Sequence, residues 1–252
     1  MKLSISAIIL TLLISLSALA QKQQSDREAD GFKGAVKTVV IEEAKLEDDS
    51  GRLVEYDQKL ESEVAYDADG NRVSGKAYDY TGALFESVSY RRVNGDKVAI
   101  YGDVENQNSI VVEMPVPANQ AKRKSDSQYT YKFKYKYDRN GNVSEEAWFQ
   151  NDGSLWLKYV YKIKGNRKEE LVYSADGSLN QKYAYTLNDK GNEVEMLLYD
   201  AHKDSVESKE TYKYVEFDSK GNWTKRITSE GEKESNFSLK PSKVTLRKFS
   251  YF

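Results

Sequence analysis

The sequence predicts an all-β protein in which tandem antiparallel β-hairpins lie side by side in a long twisted or curled meander sheet. Three observations carry that expectation. A short phrase, an aromatic followed by a polar turn that holds glycine, recurs along the chain. The runs between the turns alternate apolar and polar with a period of two. The chain is 31% charged yet contains 19 tyrosines, and because disordered chains avoid aromatics this composition belongs to one that folds.

Taken in order, the chain opens on the three parts of an export signal. Lys2 is a minimal positive region, Leu3 to Leu16 is an apolar run, and Ala18-Leu19-Ala20 is a small-residue cleavage site. Residues 1–20 are therefore expected to be removed as a signal peptide, with Gln21 as the new amino terminus. Residues 21–30 are expected as a flexible stretch holding at most one polar helical turn, and 31–252 as a single repeat-built β domain. The absence of cysteine argues against both a lipoprotein anchor and disulfide stapling. No later segment has the roughly 20 apolar residues of a membrane-spanning helix, so no transmembrane segment is expected in the mature chain. The expected location is periplasmic or extracellular. A formal charge of −2 argues against nucleic acid as a partner, which would call for a basic excess.

The recurring phrase appears at Tyr66 to Asn71, Tyr78 to Gly82, Tyr137 to Asn142, Phe149 to Ser154, Tyr173 to Ser178 and Phe217 to Asn222. Leu187 to Asn192 and Asp48 to Gly51 are looser copies. The glycines Gly141, Gly153, Gly165, Gly177 and Gly191 follow one another at 12, 12, 12 and 14 residues. Gly-Asn turns (Gly141, Gly165, Gly191, Gly221) interleave with Gly-Ser turns (Gly153, Gly177), so the unit is a hairpin of about 24 residues with unlike ends. Aspartate can accept a backbone hydrogen bond from two residues on, and glycine tolerates positive φ, which is the chemistry of a hairpin turn. Between turns, Tyr129, Tyr131, Phe133, Tyr135 and Tyr137 share one face and Thr130, Lys132, Lys134 and Lys136 the other. Leu155, Leu157, Tyr159, Tyr161 and Ile163 repeat the pattern.

Two regions break the period. Residues 94–128 contain no copy of the phrase, hold Pro115 and Pro117, and include a polar run from Ala121 to Ser127; they are expected as an irregular insertion. Gly231 to Lys240 is polar, and Val244 to Phe252 alternates again as a closing strand.

With these residues in view, the Tyr-Asp-x-x-Gly-Asn phrase resembles the YD or Rhs repeat of bacterial cell-surface proteins, and the hairpin period is similar to short repeats of the MORN type. The resemblance covers Asp48 to Gly95 and Tyr129 to Asn222. It implies an envelope protein built from stacked repeats; the chain lacks the attached toxin-like domain of large Rhs proteins.

For chemistry the sequence offers little. The one histidine, His202, sits in a turn, no cysteine exists, and neither a G-x-S-x-G elbow nor an S-x-x-K pair is present. Asp67-Ala68-Asp69-Gly70-Asn71 has glycine fourth, where a calcium loop of the EF-hand type needs it sixth. Glu145-Glu146 and Glu169-Glu170 are adjacent on strands, so each pair splits between two faces and cannot act as a paired acid and base. No catalytic, metal or cofactor site is therefore expected. Trp148, Trp156 and Trp223 stand out as a ligand-facing set, with Trp148 and Trp156 placed to meet across a hairpin and form an aromatic patch on an otherwise charged face. The function expected is a non-catalytic envelope binding or scaffold module for a protein or carbohydrate ligand; the alternative is a secreted hydrolase with dispersed carboxylates, such as a glycoside hydrolase.

Overall fold

The computed structural model describes residues 24–93, 96–102, 129–233 and 236–252. The expected signal peptide, the cleavage before Gln21 and most of the 94–128 insertion lie outside the described residues. One helical turn, α1 (Asp26–Ala29), precedes the strands. The first seven strands are β1 (Val36–Asp49), β2 (Arg52–Tyr66), β3 (Arg72–Tyr78), β4 (Leu84–Val93), β5 (Asp96–Gly102), β6 (Tyr129–Tyr137) and β7 (Val143–Phe149). The rest are β8 (Leu155–Lys164), β9 (Arg167–Ser174), β10 (Leu179–Leu187), β11 (Glu193–Tyr199), β12 (Val206–Phe217), β13 (Trp223–Glu232) and β14 (Lys240–Tyr251).

Each strand pairs antiparallel with its neighbours in sequence, and β1 pairs with β14 as well, which closes the sheet into a barrel. This corrects the expectation of an open twisted or curled meander. The closing seam runs from Val36 opposite Tyr251 to Lys45 opposite Lys243, with Val39 and Val244 both fully buried. An open sheet would leave β1 and β14 as edges with unpaired amide and carbonyl groups; closure removes both edges at once.

The two turn types sort onto opposite rims, since every hairpin reverses direction. The glycine-asparagine turns at Gly70, Gly141, Gly165, Gly191 and Gly221 lie on one rim, and Gly51, Gly82, Gly153 and Gly177 lie on the other. Their hydrogen bonding differs. On the first rim Asp138 Oδ1 accepts from the amides of Asn140 (2.8 Å) and Asn142 (2.9 Å). On the second, at the glycine-serine turns, the aspartate just before glycine does the work: Asp152 Oδ1 accepts from the Ser154 amide (2.9 Å) and hydroxyl (2.6 Å), whereas Asp79 at Gly82 accepts from Thr81 and Ala83 as Asp138 does from its turn. Gly141 and Gly153 both sit at φ above 80°, a conformation open to glycine at no steric cost.

Alternation then assigns the faces. Lys132, Lys134 and Lys136 are exposed while Phe133 between them is buried. The outer face carries cross-strand ion pairs, among them Lys136 with Glu145 (2.8 Å), Lys209 with Glu195 (2.6 Å) and Lys76 with Glu63 (3.1 Å). Lysines also lie over outer aromatic rings, Lys134 over Phe149 and Lys182 over Tyr199. A lipid-facing barrel needs an apolar band about 25 Å tall, in which each mid-depth lysine costs about 2–4 kcal/mol. This charged outer face is matched to water. Among the described residues no helix is long and apolar enough to cross a membrane.

Candidate functional site

The aromatic residues converge on the inside. On β6, β7 and β8 the register sets Tyr135 opposite Glu146, and Glu146 opposite Tyr159. On β8, β9 and β10 it sets Tyr161 opposite Glu170, and Glu170 opposite Tyr183. Each carboxylate thus stands between two tyrosines. Burial pushes the Glu146 and Glu170 carboxyls above their ordinary range, and the same burial, joined by the field of these acids, raises the hydroxyls of Tyr135 and Tyr161, and that of Tyr159 to about 12. Arg72 on β3 acts on Tyr161 on β8, although four strands lie between them along the wall. Only side chains that face each other across the interior can do that.

The wall is lined rather than packed. Tyr159, Tyr161, Tyr183, Tyr185 and Trp148 are only partly buried inside the closed barrel. An eight-stranded barrel is just wide enough for its own side chains to fill, and diameter grows roughly linearly with strand number. A small apolar cluster, Val36, Val39 and Tyr66 with Phe32 and Phe249 against it, lies at one end.

That end is strapped. Ser25 caps α1 through a capping box with Glu28, and the Arg27 amide donates to the Gly70 carbonyl (2.9 Å). Asp30 binds Arg72 and the Tyr66 hydroxyl, and Asp26 meets Lys97 at 2.8 Å with both side chains well shielded. Farther along, the Lys33 amide donates to Asn222 Oδ1 (2.7 Å), and Phe32 packs edge-on against Tyr66 and Phe249. The stretch expected as a flexible amino terminus is, from Ser25 on, a fastened strap across the rim of glycine-asparagine turns.

No protein-family model matches the sequence, and no curated protein matches it. Solved structures do. A porin-like protein from Bacteroides uniformis is 9% identical with a TM-score of 0.48, covering 87% of this chain and 98% of its own. A DUF1329 family protein from Desulfovibrio piger is 9% identical with a TM-score of 0.29, covering 89% of each chain. A chain of the TcdB2-TccC3-Cdc42 structure is 9% identical with a TM-score of 0.17, covering 81% of this chain and 14% of that one. The barrel itself rests on the strand pairing of this chain.

The three tryptophans fall at two places. Trp148 Nε1 donates to Glu146 Oε1 (2.8 Å), and its ring lies 4.9 Å from Phe133 and 5.6 Å from Trp156. Trp156 stacks on Tyr131 at 4.7 Å. The pair does meet across the hairpin, but on the inner aromatic face and not on the charged one: Trp148 shares the face of Glu146 opposite Phe133, and the register shift beside Phe149 turns Trp156 to the same side. Trp223 is buried at the strapped end, with the guanidiniums of Arg226 and Arg247 against its ring. The glutamate pairs split as expected: Glu145 and Glu169 bind outer lysines, while Glu146 and Glu170 face in.

An envelope scaffold module presenting a sheet face to a protein or carbohydrate is corrected by this geometry. Closure turns the aromatic face inward and leaves a charged, ion-paired exterior. The residues that sequence reasoning missed are the inner charges, Arg72, Lys97, Glu146, Glu170, Arg226 and Arg247. Only the alternation beside known tyrosines could have flagged them.

Proposed function

We propose that the chain is an exported, ligand-enclosing barrel that holds a small amphipathic molecule against its inner tyrosine wall while the charged outer face keeps the complex in water. An aromatic lining left only partly buried in a closed barrel carries this reading: interiors are normally close-packed, and apolar walls with a few placed polar groups are the signature of ligand sites. Carriage of a poorly soluble molecule through the aqueous envelope fits both faces, and the amino-terminal apolar run supports export.

The test has two arms. Protein recovered from the envelope fraction is unfolded, extracted with organic solvent and analysed by mass spectrometry, and the emptied protein is titrated with decanol, decanoate and decylamine while tryptophan emission is followed. A stoichiometric co-purifying amphiphile, or a saturable emission change with any of the three, is the expected result. No extracted molecule together with no saturable change would overturn the proposal.

A further inference from the structure

Arg226 and Arg247 enter the interior from β13 and β14, and both guanidiniums stack on Trp223, at 4.9 and 3.5 Å from the ring centre. Arg226 also lies 4.5 Å from the Tyr212 ring and Arg247 lies 5.2 Å from Phe32 of the strap. Aromatic faces hold a cation in place but accept none of its in-plane hydrogen bonds. Among the described residues neither guanidinium is in ion-pair contact with a carboxylate; the neighbouring lysines take the nearby acids, Lys225 with Glu55 (2.7 Å) and Lys243 with Glu43 (3.4 Å). Glu61, which is exposed, feels both arginines, and Asp30, which binds Arg72, feels Arg247, but neither acid is in ion-pair contact with them.

Among the described residues, three buried side-chain atoms are left without a partner: Arg226 Nε, Arg247 Nε and the Thr228 hydroxyl. Thr228 is fully buried and lies two residues from Arg226 on the same face, opposite Tyr212 and Lys243. Burial and the field of Arg226 together hold Arg247 down to about 10. Arginines kept for packing alone would be replaced at no loss by apolar residues of similar volume. Two like charges held against one ring, each with a buried Nε donor to spare, describe a site whose counter-charge comes from outside the chain.

We infer that Arg226, Arg247 and Thr228 form an oxyanion site on the inner wall that takes the carboxylate or phosphate head of the enclosed molecule. This rests on the ligand-enclosing reading. The guanidinium fork matches such heads in two parallel hydrogen bonds, and the tyrosine wall receives the remainder of the molecule.

The experiment titrates the full exported chain with decyl phosphate, decanoate, decanol and inorganic phosphate, following tryptophan emission. The anionic decyl compounds are expected to bind at least tenfold more tightly than decanol. Arg226→Gln and Arg247→Gln should each erase most of that preference while leaving decanol affinity unchanged. Should either variant fail to fold, Arg226→Lys and Thr228→Val take its place, with a several-fold loss of preference expected from each. Displacement of decyl phosphate by millimolar inorganic phosphate would show that the site also accepts the free anion; lack of displacement would assign it to tailed heads. Equal binding of decanol and the anionic compounds, or a preference that survives the folded arginine variants, overturns the oxyanion site and leaves the enclosing barrel standing. Binding of none of the decyl compounds would instead sink the enclosing reading beneath it.

Discussion

The inner wall along β6 to β10 and the inner wall along β12 to β14 solve the same problem in opposite ways. Both place charged groups among aromatic rings in a poorly hydrated interior. On the first wall the charges are carboxylates, Glu146 and Glu170, and burial raises both, so each can shed its charge by taking a proton. On the second, beside Glu210 and the Lys243–Glu43 pair, stand two guanidiniums, which stay protonated at any ordinary pH. An acid can adapt to a dry wall alone, whereas an arginine must find an anion. The need for a partner is therefore concentrated at Arg226 and Arg247, which share Trp223 as their support.

The largest expected effect is on that support. Trp223→Ala removes a buried ring beneath both guanidiniums, and should cost about 3–5 kcal/mol, read as a loss of thermal or denaturant stability. Trp148→Ala, on the partly buried acid wall, should cost about 2 kcal/mol, below the full range for a buried Trp. Equal costs at the two positions would break the distinction between a supporting ring and a lining one.

Glu146→Gln should stabilise the protein at neutral pH, since it removes a buried charge and keeps a hydrogen-bond acceptor for Trp148. The pH dependence sharpens this. A carboxyl raised on folding weakens the native state as pH climbs from its ordinary value of 4.5 through its higher folded value. Stability should therefore fall with rising pH in that window, and less steeply in the glutamine variant. The turn aspartates work in reverse: Asp138, held down by the Asn142 amide, and Asp176, held down by Ser178, contribute stability that is lost as pH falls below about 3.8. Denaturant melts of wild type and Glu146→Gln from pH 3 to pH 8 separate the two limbs, and an unchanged slope above pH 4.5 would contradict the assignment. The smallest effect belongs outside: Lys162→Ala, from an exposed pair with Glu169 at 3.9 Å, should change stability by no more than about 0.5 kcal/mol.

What could be read from the sequence was local. Turn glycines, the strand period and the split of Glu145 from Glu146 all follow from neighbours within a dozen residues, and the two turn chemistries already implied two unlike ends. Closure was not legible, because the pairing of Thr38 with Ser250 joins ends of the chain that share no local pattern. The faces of Trp156 and Trp223 were obscured for a different reason: each lies beside a register shift, at Phe149 and at Phe217, where one extra residue flips the alternation. Arg226 sits next to Lys225 and Arg247 next to Lys248, so in composition they look like surface charge. Only the barrel decides which of each pair turns inward.

The seam between β1 and β14 makes the order of the strands a matter of where the ring happens to be cut. The Phe252 amide donates to the Ala35 carbonyl (3.0 Å), so the two ends of the described barrel already touch. A short linker from Phe252 back to the strap, with a new opening at the exposed Gly153 turn, would preserve every ladder but move the last closing step to β7 and β8. In the natural order, a chain threaded out from its amino end stays an open sheet with a raw edge until its final twelve-residue strand arrives. Sealing the vessel is thus the last event of its assembly.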